Sequence, residues 1–148
     1  MPKNPILVTG GAGFIGIHLL ASLVDKYPEY HFVNVDSLTD ASNTKGLEQI
    51  ATRSNYSFYQ YDICNKHELE RLFRHYEFEG VIHLAAETHV DRSIINPRLF
   101  VDSNVIGTVT LLELTKKYCQ PKSSFNRFYH ISTDEVYGHL GSIIERST

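Results

Sequence analysis

The 148 residues suffice for one ordinary domain, and with 42% of them apolar the chain can cover a sheet with helices and bury a core. Fourteen lysines and arginines against 17 aspartates and glutamates leave a formal charge of -3 with the basic residues scattered, which argues against a nucleic-acid footprint and requires any anionic ligand to be held locally. No apolar run approaches the roughly 20 residues of a membrane span, no secretory leader is visible, and Cys64 and Cys119 are too few and too far apart for a disulfide framework, so a soluble cytoplasmic protein is expected.

Five short strand-like runs alternate with helical patterns, and such alternation predicts βαβ units around a parallel sheet, a doubly wound α/β fold. The first run, Ile6 to Thr9, passes through Gly10-Gly11-Ala12-Gly13-Phe14-Ile15-Gly16 into a helix whose stripe is Ile15, Leu19, Leu20, Leu23, Val24 and Tyr27, stopped by Pro28. The second run is Tyr30 to Val35. Between Ser37 and Asn55 the spacing of Leu47, Ile50 and Ala51 suggests a short helix, while Gly46 and the polar flanks fit a mobile crossover as well. The third run is Tyr56 to Tyr61; Asn55-Tyr56-Ser57 has the form of a glycosylation sequon and reads as the start of this strand. Asn65, with Glu68 three residues on, forms a capping-box signature before the buried face Leu69, Leu72, Phe73 and Tyr76. After the fourth run, Gly80 to Ala85, Asn96-Pro97 opens a longer helix expected to reach about Tyr118, ahead of Pro121, with Gly107 in its middle. The fifth run is Arg127 to Thr133.

The polar residues gather where the strands end. Glycines between strand and helix permit a tight turn and close approach of a pyrophosphate to the free N–H groups at the helix start, with the fingerprint readable as Gly10/Gly13/Gly16 or Gly11/Gly13/Gly16. Asp36 closes the second strand 20 residues after Gly16, where a carboxylate can accept both hydroxyls of an adenosine ribose; no arginine follows to neutralise a 2'-phosphate, so NAD is expected rather than NADP. Asp62-Ile63, Leu84-Ala85-Ala86-Glu87-Thr88 and Thr133-Asp134-Glu135 end the other three strands on the same edge. Ala85 and Ala86 leave room either for a cofactor or for a packed helix. Thr133, Asp134 and Glu135 cannot all face one site on a continuing strand, so the chain must turn after Thr133. Asp134 and Glu135 then stand either as an acid/base pair whose mutual repulsion separates their pKa values or as ordinary acidic residues of a helix first turn. The eight histidines show no zinc-like spacing, and no metal is expected.

Thr9 to Gly16, Asp36-Ser37-Leu38-Thr39, Leu84 to Ser93, Asn104-Val105-Ile106-Gly107-Thr108 and His130 to Gly138 together resemble the dTDP-glucose 4,6-dehydratases, extended short-chain dehydrogenase/reductases with an NAD-binding Rossmann fold. The stretch His-Ile-Ser-Thr-Asp-Glu-Val-Tyr-Gly separates that family from related epimerases, which lack the Asp-Glu pair. The resemblance implies that Gly10, Gly13, Phe14, Ile15 and Gly16 line the pyrophosphate, that Asp36, Ser37, Leu38 and Thr39 hold the ribose, and that Asp62 and Ile63 flank adenine. It implies further that Leu84, Ala85, Ala86, Glu87 and Thr88, with Ser103, follow the cofactor toward the sugar, Thr88 also touching the substrate. Thr133 would hydrogen-bond the sugar 4-hydroxyl, Asp134 would protonate the departing 6-hydroxyl and Glu135 would remove the C5 proton. In the implied reaction hydride passes from C4 to NAD, water leaves across C5 and C6, and the hydride returns to C6.

Four positions depart from the family: Ile17 and Asp40 stand where serine and tyrosine are usual, Thr88 where serine is, and Ser103 where threonine is. The family's Tyr-x-x-x-Lys should follow the Asp-Glu pair, and nothing after Gly138 matches it; Tyr118 to Lys122 fits the pattern but contains Pro121. The chain is therefore read as residues 1–148 of an NAD-binding domain, truncated before a sugar-nucleotide domain, inactive alone, and homodimeric in its longer parent. An exposed fifth strand is expected to promote self-association of this piece. The alternatives are the NAD-binding domain of a related nucleotide-sugar epimerase or decarboxylase, or a non-catalytic dinucleotide-binding module.

Overall fold

The structure is a computed structural model and describes residues 3–40, 42–119 and 127–138; the side chains of Asp134 and Glu135 lie outside the described residues. Five strands, β1 (Pro5–Thr9), β2 (His31–Asp36), β3 (Tyr56–Gln60), β4 (Gly80–His83) and β5 (Arg127–His130), form one sheet in the order β3-β2-β1-β4-β5. Every pairing is parallel. Five of five residues of β1 are buried, as a central parallel strand covered on both faces requires.

Side chains alternate across the pleat, so β1 to β4 each feed two cores, while β5 gives Phe128 to one of them. Leu7, Val33 and Val81 face α3 (Lys66–His75) and α6 (Thr108–Tyr118), where Leu69, Leu72, Phe73, Leu111 and Leu114 complete one cluster. Ile6, Val8 and Phe32 face α1 (Phe14–Lys26) and the short α2 (Thr44–Glu48), with Ile17, Leu20, Val24, Leu47 and Ile50. The buried face of α1 is thus Gly16, Ile17, Leu20 and Val24, shifted from the expected stripe: Ile15 and Tyr27 are exposed because the glycine loop sets the rotation of the first turn.

The segment after Ser37 resolves toward helix. Asn43 caps α2 by accepting the Gly46 N–H at 3.0 Å. Gly46 is needed there, since a Cβ would stand 2.5 Å from Ile17. At α3 the expected cap forms, with Asn65 Oδ1 accepting from the Glu68 N–H and Asn65 Nδ2 donating to Glu68 Oε2 at 2.8 Å. Asn55 donates its amide to the Val24 carbonyl and leads into β3.

The long helix expected from Pro97 is not uniform. A separate turn, α4 (Val90–Ile95), precedes α5 (Pro97–Phe100), and a π-helical segment, Val101–Gly107, joins α5 to α6. Hydrophobic periodicity does not distinguish i→i+4 from i→i+5 bonding over seven residues, so the widened turn was invisible to it. β5 is also shorter than expected and ends at His130, the chain turning into a 3-10 helix at Asp134–Tyr137. Both cysteines are free and half-buried, and no helix among the described residues is long and apolar enough to cross a membrane.

His83, at the end of β4 and almost wholly buried, fastens the middle of the sheet. Thr108 Oγ1 donates to the Asn104 carbonyl at 2.8 Å, which spends its only hydrogen. It must therefore accept from His83 Nε2–H at 2.9 Å, and His83 Nδ1 in turn accepts from the Thr9 hydroxyl at 2.7 Å. The ring is neutral in this arrangement. Burial, with the His130 ring 5.1 Å away as a second cause, pushes its pKa down to about 4 from an ordinary 6.5. Between those values the unfolded chain binds a proton that the folded chain refuses, so stability is whole above pH 6.5 and falls as pH drops toward 4, by roughly 3 kcal/mol in all. His31, also lowered by burial, acts with the same sign. Urea midpoints should decline across this window, and His83→Gln should flatten the decline. Leu111→Ala, at a fully buried position, should cost about 2–5 kcal/mol in the same measurement at neutral pH.

Candidate cofactor site

Strand order reverses between β1 and β4, the position at which a crevice opens beyond the carboxyl ends of a doubly wound sheet. A cleft of about 480 Å³ lies there. Its near wall is the glycine loop. Gly10 has φ of +73°, and a Cβ on it would stand 2.5 Å from the Ala85 backbone nitrogen, so the loop is seated directly on the chain leaving β4. A Cβ on Gly16 would meet the Gly10 carbonyl at 2.3 Å, which closes the loop against α1. Gly13 differs: its Cβ would meet only the Gly10 carbonyl at 3.3 Å, and the residue lines the cleft. Of these three glycines it is the one whose bareness serves the open side.

Gly13 is also the N-cap of α1, with no side chain bonded to the helix start and no acidic residue in the first turn. The N–H groups of that turn and the positive end of a 13-residue helix are left for an acceptor from outside. Phe14 and Ile15, expected near such an acceptor, are 81% and 61% exposed at the helix start, and their side chains are not in the cleft wall.

Asp36 ends β2 and is nearly buried. Its Oδ2 accepts the Ala12 N–H at 2.9 Å, and its Oδ1 accepts the Leu38 N–H at 2.9 Å and the Ser42 hydroxyl at 3.3 Å. Three of about four acceptor positions are occupied, so a ribose would find one free and could gain a second by displacing Ser42, the longest of the three bonds. The carboxylate both ties the glycine loop to β2 and faces the cleft.

Twelve of the expected cofactor residues line the cleft: Gly10, Gly13, Asp36, Ser37, Thr39, Asp62, Ile63, Leu84, Ala85, Ala86, Glu87 and Ser103. Gly16, Leu38 and Thr88 do not. Gly16 is packed under the loop, and Leu38, at φ of +57°, turns its side chain to the α1/α2 core while only its N–H serves Asp36. Val35, Ser42, Tyr61, Cys64, Leu99, Asp102 and Ile106 line the cleft without having been expected. Leu99 and Ile106 stand four residues before and three after Ser103, so projecting that one residue along its helix would have found them, and Asp102 lies three residues after Leu99 and four before Ile106. Cys64 is no nucleophile: its thiol donates to the Asp102 carbonyl at 3.0 Å, and burial first, with nearby carboxylates, pushes its pKa up to about 11.

The departures are accommodated. Ile17 is a core residue, 5% exposed, and Asp40 points to solvent and pairs with Arg92 at 3.3 Å, outside the cleft wall. Register places His83 beside His130, so Thr133 stands three residues past the sheet on the edge that also carries Ala86. Thr133 is exposed, and Asp134 begins the 3-10 turn. No cluster of three His, Cys, Asp or Glu among the described residues could hold a metal ion.

A family model described as GDP-mannose 4,6 dehydratase matches residues 7–147. The dTDP-glucose 4,6-dehydratase of Salmonella typhimurium is 46% identical over 139 residues, which cover 91% of this chain and 38% of that protein. Among solved structures, a dTDP-glucose 4,6-dehydratase from Streptomyces venezuelae with NAD bound superposes with a TM-score of 0.81 at 39% identity, over 93% of this chain and 42% of that one. A UDP-glucose 4-epimerase from Bifidobacterium longum in complex with NAD+ and UDP gives 0.76 at 31% identity, over 90% and 38%. The chain spans about two-fifths of the length of these relatives. With the model's match running over nearly all its residues and the fold agreeing, the chain belongs to the GDP-mannose 4,6 dehydratase family.

Proposed function

We propose that the chain binds NAD and forms the NAD-binding part of a nucleotide-sugar 4,6-dehydratase, with dTDP-glucose as substrate and dTDP-4-keto-6-deoxyglucose as product. The observation that carries this reading is the pairing, in one cleft, of an uncapped helix start beside the bare Gly13 with the Asp36 carboxylate at the end of β2. One wall suits a pyrophosphate and the other a ribose. Bound NAD would supply a reversible hydride acceptor. The chain's own contributions are then to orient and to move protons. Gly13 and the α1 start hold the diphosphate, Asp36 with Ser37 and Thr39 fixes the ribose, and Asp62 and Ile63 flank the base. Phe14, Ile15 and Gly16 contribute through the backbone of the helix start and Leu38 through its N–H to Asp36, while Thr88 touches the cofactor and the sugar. Thr133 orients the sugar 4-hydroxyl, Asp134 gives a proton to the departing 6-hydroxyl, and Glu135 removes the C5 proton. Two groups with opposite proton duties on adjacent residues fit an elimination of water.

The epimerase reading draws on the likeness to the Bifidobacterium longum structure. It leaves Asp134 and Glu135 without work, which favours the dehydratase. The parent polypeptide is expected to be a cytoplasmic homodimer.

Calorimetry should detect NAD binding by this chain, at least tenfold tighter than NADP, because a 2'-phosphate would be set against Asp36 with no neighbouring arginine. Gly13→Ala should weaken NAD at least tenfold with little change in melting temperature, whereas Gly10→Ala should disrupt the fold itself. The 148-residue chain should yield no 4-keto-6-deoxy sugar from dTDP-glucose. A longer parent carrying Tyr-x-x-x-Lys should, and Asp134→Asn or Glu135→Gln in that parent should lower kcat by about 10²–10⁴. Turnover by this chain alone would refute the assignment of an essential tyrosine beyond it.

A further inference from the structure

The π-helical segment Val101–Gly107 meets the chain leaving β3 at Ile63 and Cys64 and the chain leaving β4 at Glu87, and one side chain in it makes a connection of unusual economy. Asn104 Oδ1 accepts the Glu87 N–H at 2.8 Å, and Asn104 Nδ2 donates to the Glu87 carbonyl at 2.9 Å. A single amide thus satisfies both backbone groups of one residue in the segment that follows β4, where no strand ladder is left to do so. Asparagine is the shortest side chain carrying a neutral donor and acceptor side by side; aspartate offers two acceptors and leucine neither.

The clamp is itself anchored. The Asn104 carbonyl accepts from Thr108, which is bonded to His83 and through it to Thr9, the residue before Gly10. Two residues earlier the Asp102 carbonyl accepts the Cys64 thiol. Gly107 lacks a Cβ that would stand 2.5 Å from Ile63. A π turn shifts which carbonyls are available to other partners, and here the Asp102 carbonyl is met by Cys64 beyond β3 and the Asn104 carbonyl by Thr108 from within the helix.

We infer that Asn104 is a positioning residue: by holding the Glu87 backbone it sets the Ala85–Glu87 wall at the distance from the glycine loop that the nicotinamide half of a dinucleotide requires, and it does so without touching the ligand. This rests on the NAD-binding reading above. ADP, which has the adenosine and diphosphate but not the second ribose and nicotinamide, reports on the α1 start, Gly13, the ribose-holding Asp36, Ser37 and Thr39 and the base-flanking Asp62 and Ile63, so the ratio of NAD to ADP affinity isolates the Ala85–Glu87 wall from the rest of the site.

The experiment measures NAD and ADP affinities of the whole chain by calorimetry for wild type, Asn104→Asp and Asn104→Leu, with circular dichroism and hydrogen exchange at the Glu87 amide. The expected result is at least a tenfold loss of NAD affinity with ADP within about twofold of wild type, together with faster exchange at Glu87. In Asn104→Asp the acceptor for the Glu87 N–H remains while a second oxygen opposes the Glu87 carbonyl, so NAD should weaken although that N–H can stay bonded. Should either variant fail to fold, Asn104→Ser, which is too short to span both groups, takes its place with the same expectation. Wild-type NAD affinity in the folded variants overturns the inference, and so does an equal loss of NAD and ADP, which would mean that Asn104 supports the fold as a whole. Failure of the wild type to bind NAD at all overturns the cofactor reading instead, and is distinguishable because no variant is needed to see it.

Discussion

The approach of Gly10 to the backbone at Ala85 is the constraint from which the rest of the site follows. β1 and β4 are neighbours in the sheet but leave it toward opposite crossovers, and their outgoing chains must either part widely or touch. Here they touch, because residue 10 has no Cβ and takes a positive φ. The contact places α1 over one half of the sheet with its start aimed across the crevice. It also brings the segment leaving β4 to within reach of α5 and the π turn. A cleft whose two sides come from separate halves of the sheet needs a fixed hinge line, and this backbone contact provides it.

Around that line the polar groups divide into those that hold the protein and those that face outward, and several do both. Asp36 spends most of its acceptor capacity on Ala12, Leu38 and Ser42, so the residue that would receive a ribose is also the one that tethers the glycine loop to β2. His83 is purely internal: neutral, bonded at both nitrogens, and close enough to His130 that a second proton would be resisted from two directions. The network Glu70–Lys117–Tyr118 ties α3 to the end of α6 at the surface, and hydrogen bonds from Lys117 and then Tyr118 hold the Glu70 pKa down at about 2, but exposure makes it a weak fastener beside the buried Phe73 and Leu114.

Much of this was legible in the chain because the relevant signals are local. Strands buried on both faces read as apolar runs, Asn65 three residues before Glu68 reads as a cap, and glycines between a strand and a helix read as a phosphate-type turn. The cleft residues contributed by strand ends were found for the same reason: a parallel sheet delivers all its carboxyl ends to one edge, so a list of strand ends is nearly a list of site residues. What periodicity missed is equally physical. The rotation of α1 depends on how the loop seats against Ala85, and the π turn depends on Ile63 pressing at Gly107 and on the partners waiting for Asp102 and Asn104, none of which is near in sequence.

By itself the sequence determined the fold class, the strand count, the edge on which the polar residues collect and the family, since each rests on patterns of a few consecutive residues or on motifs with fixed spacing. Only the tertiary structure decided which glycine of the cleft wall is packed on backbone and which is open, how much of Asp36 remains for a ligand, which tautomer His83 adopts and that one asparagine on a widened helical turn holds the chain leaving β4. Those are questions of distance between groups 17 to 74 residues apart in the chain, such as Glu87 with Asn104, Asp36 with Ala12 and Thr9 with His83, and short-range preference carries no information about them.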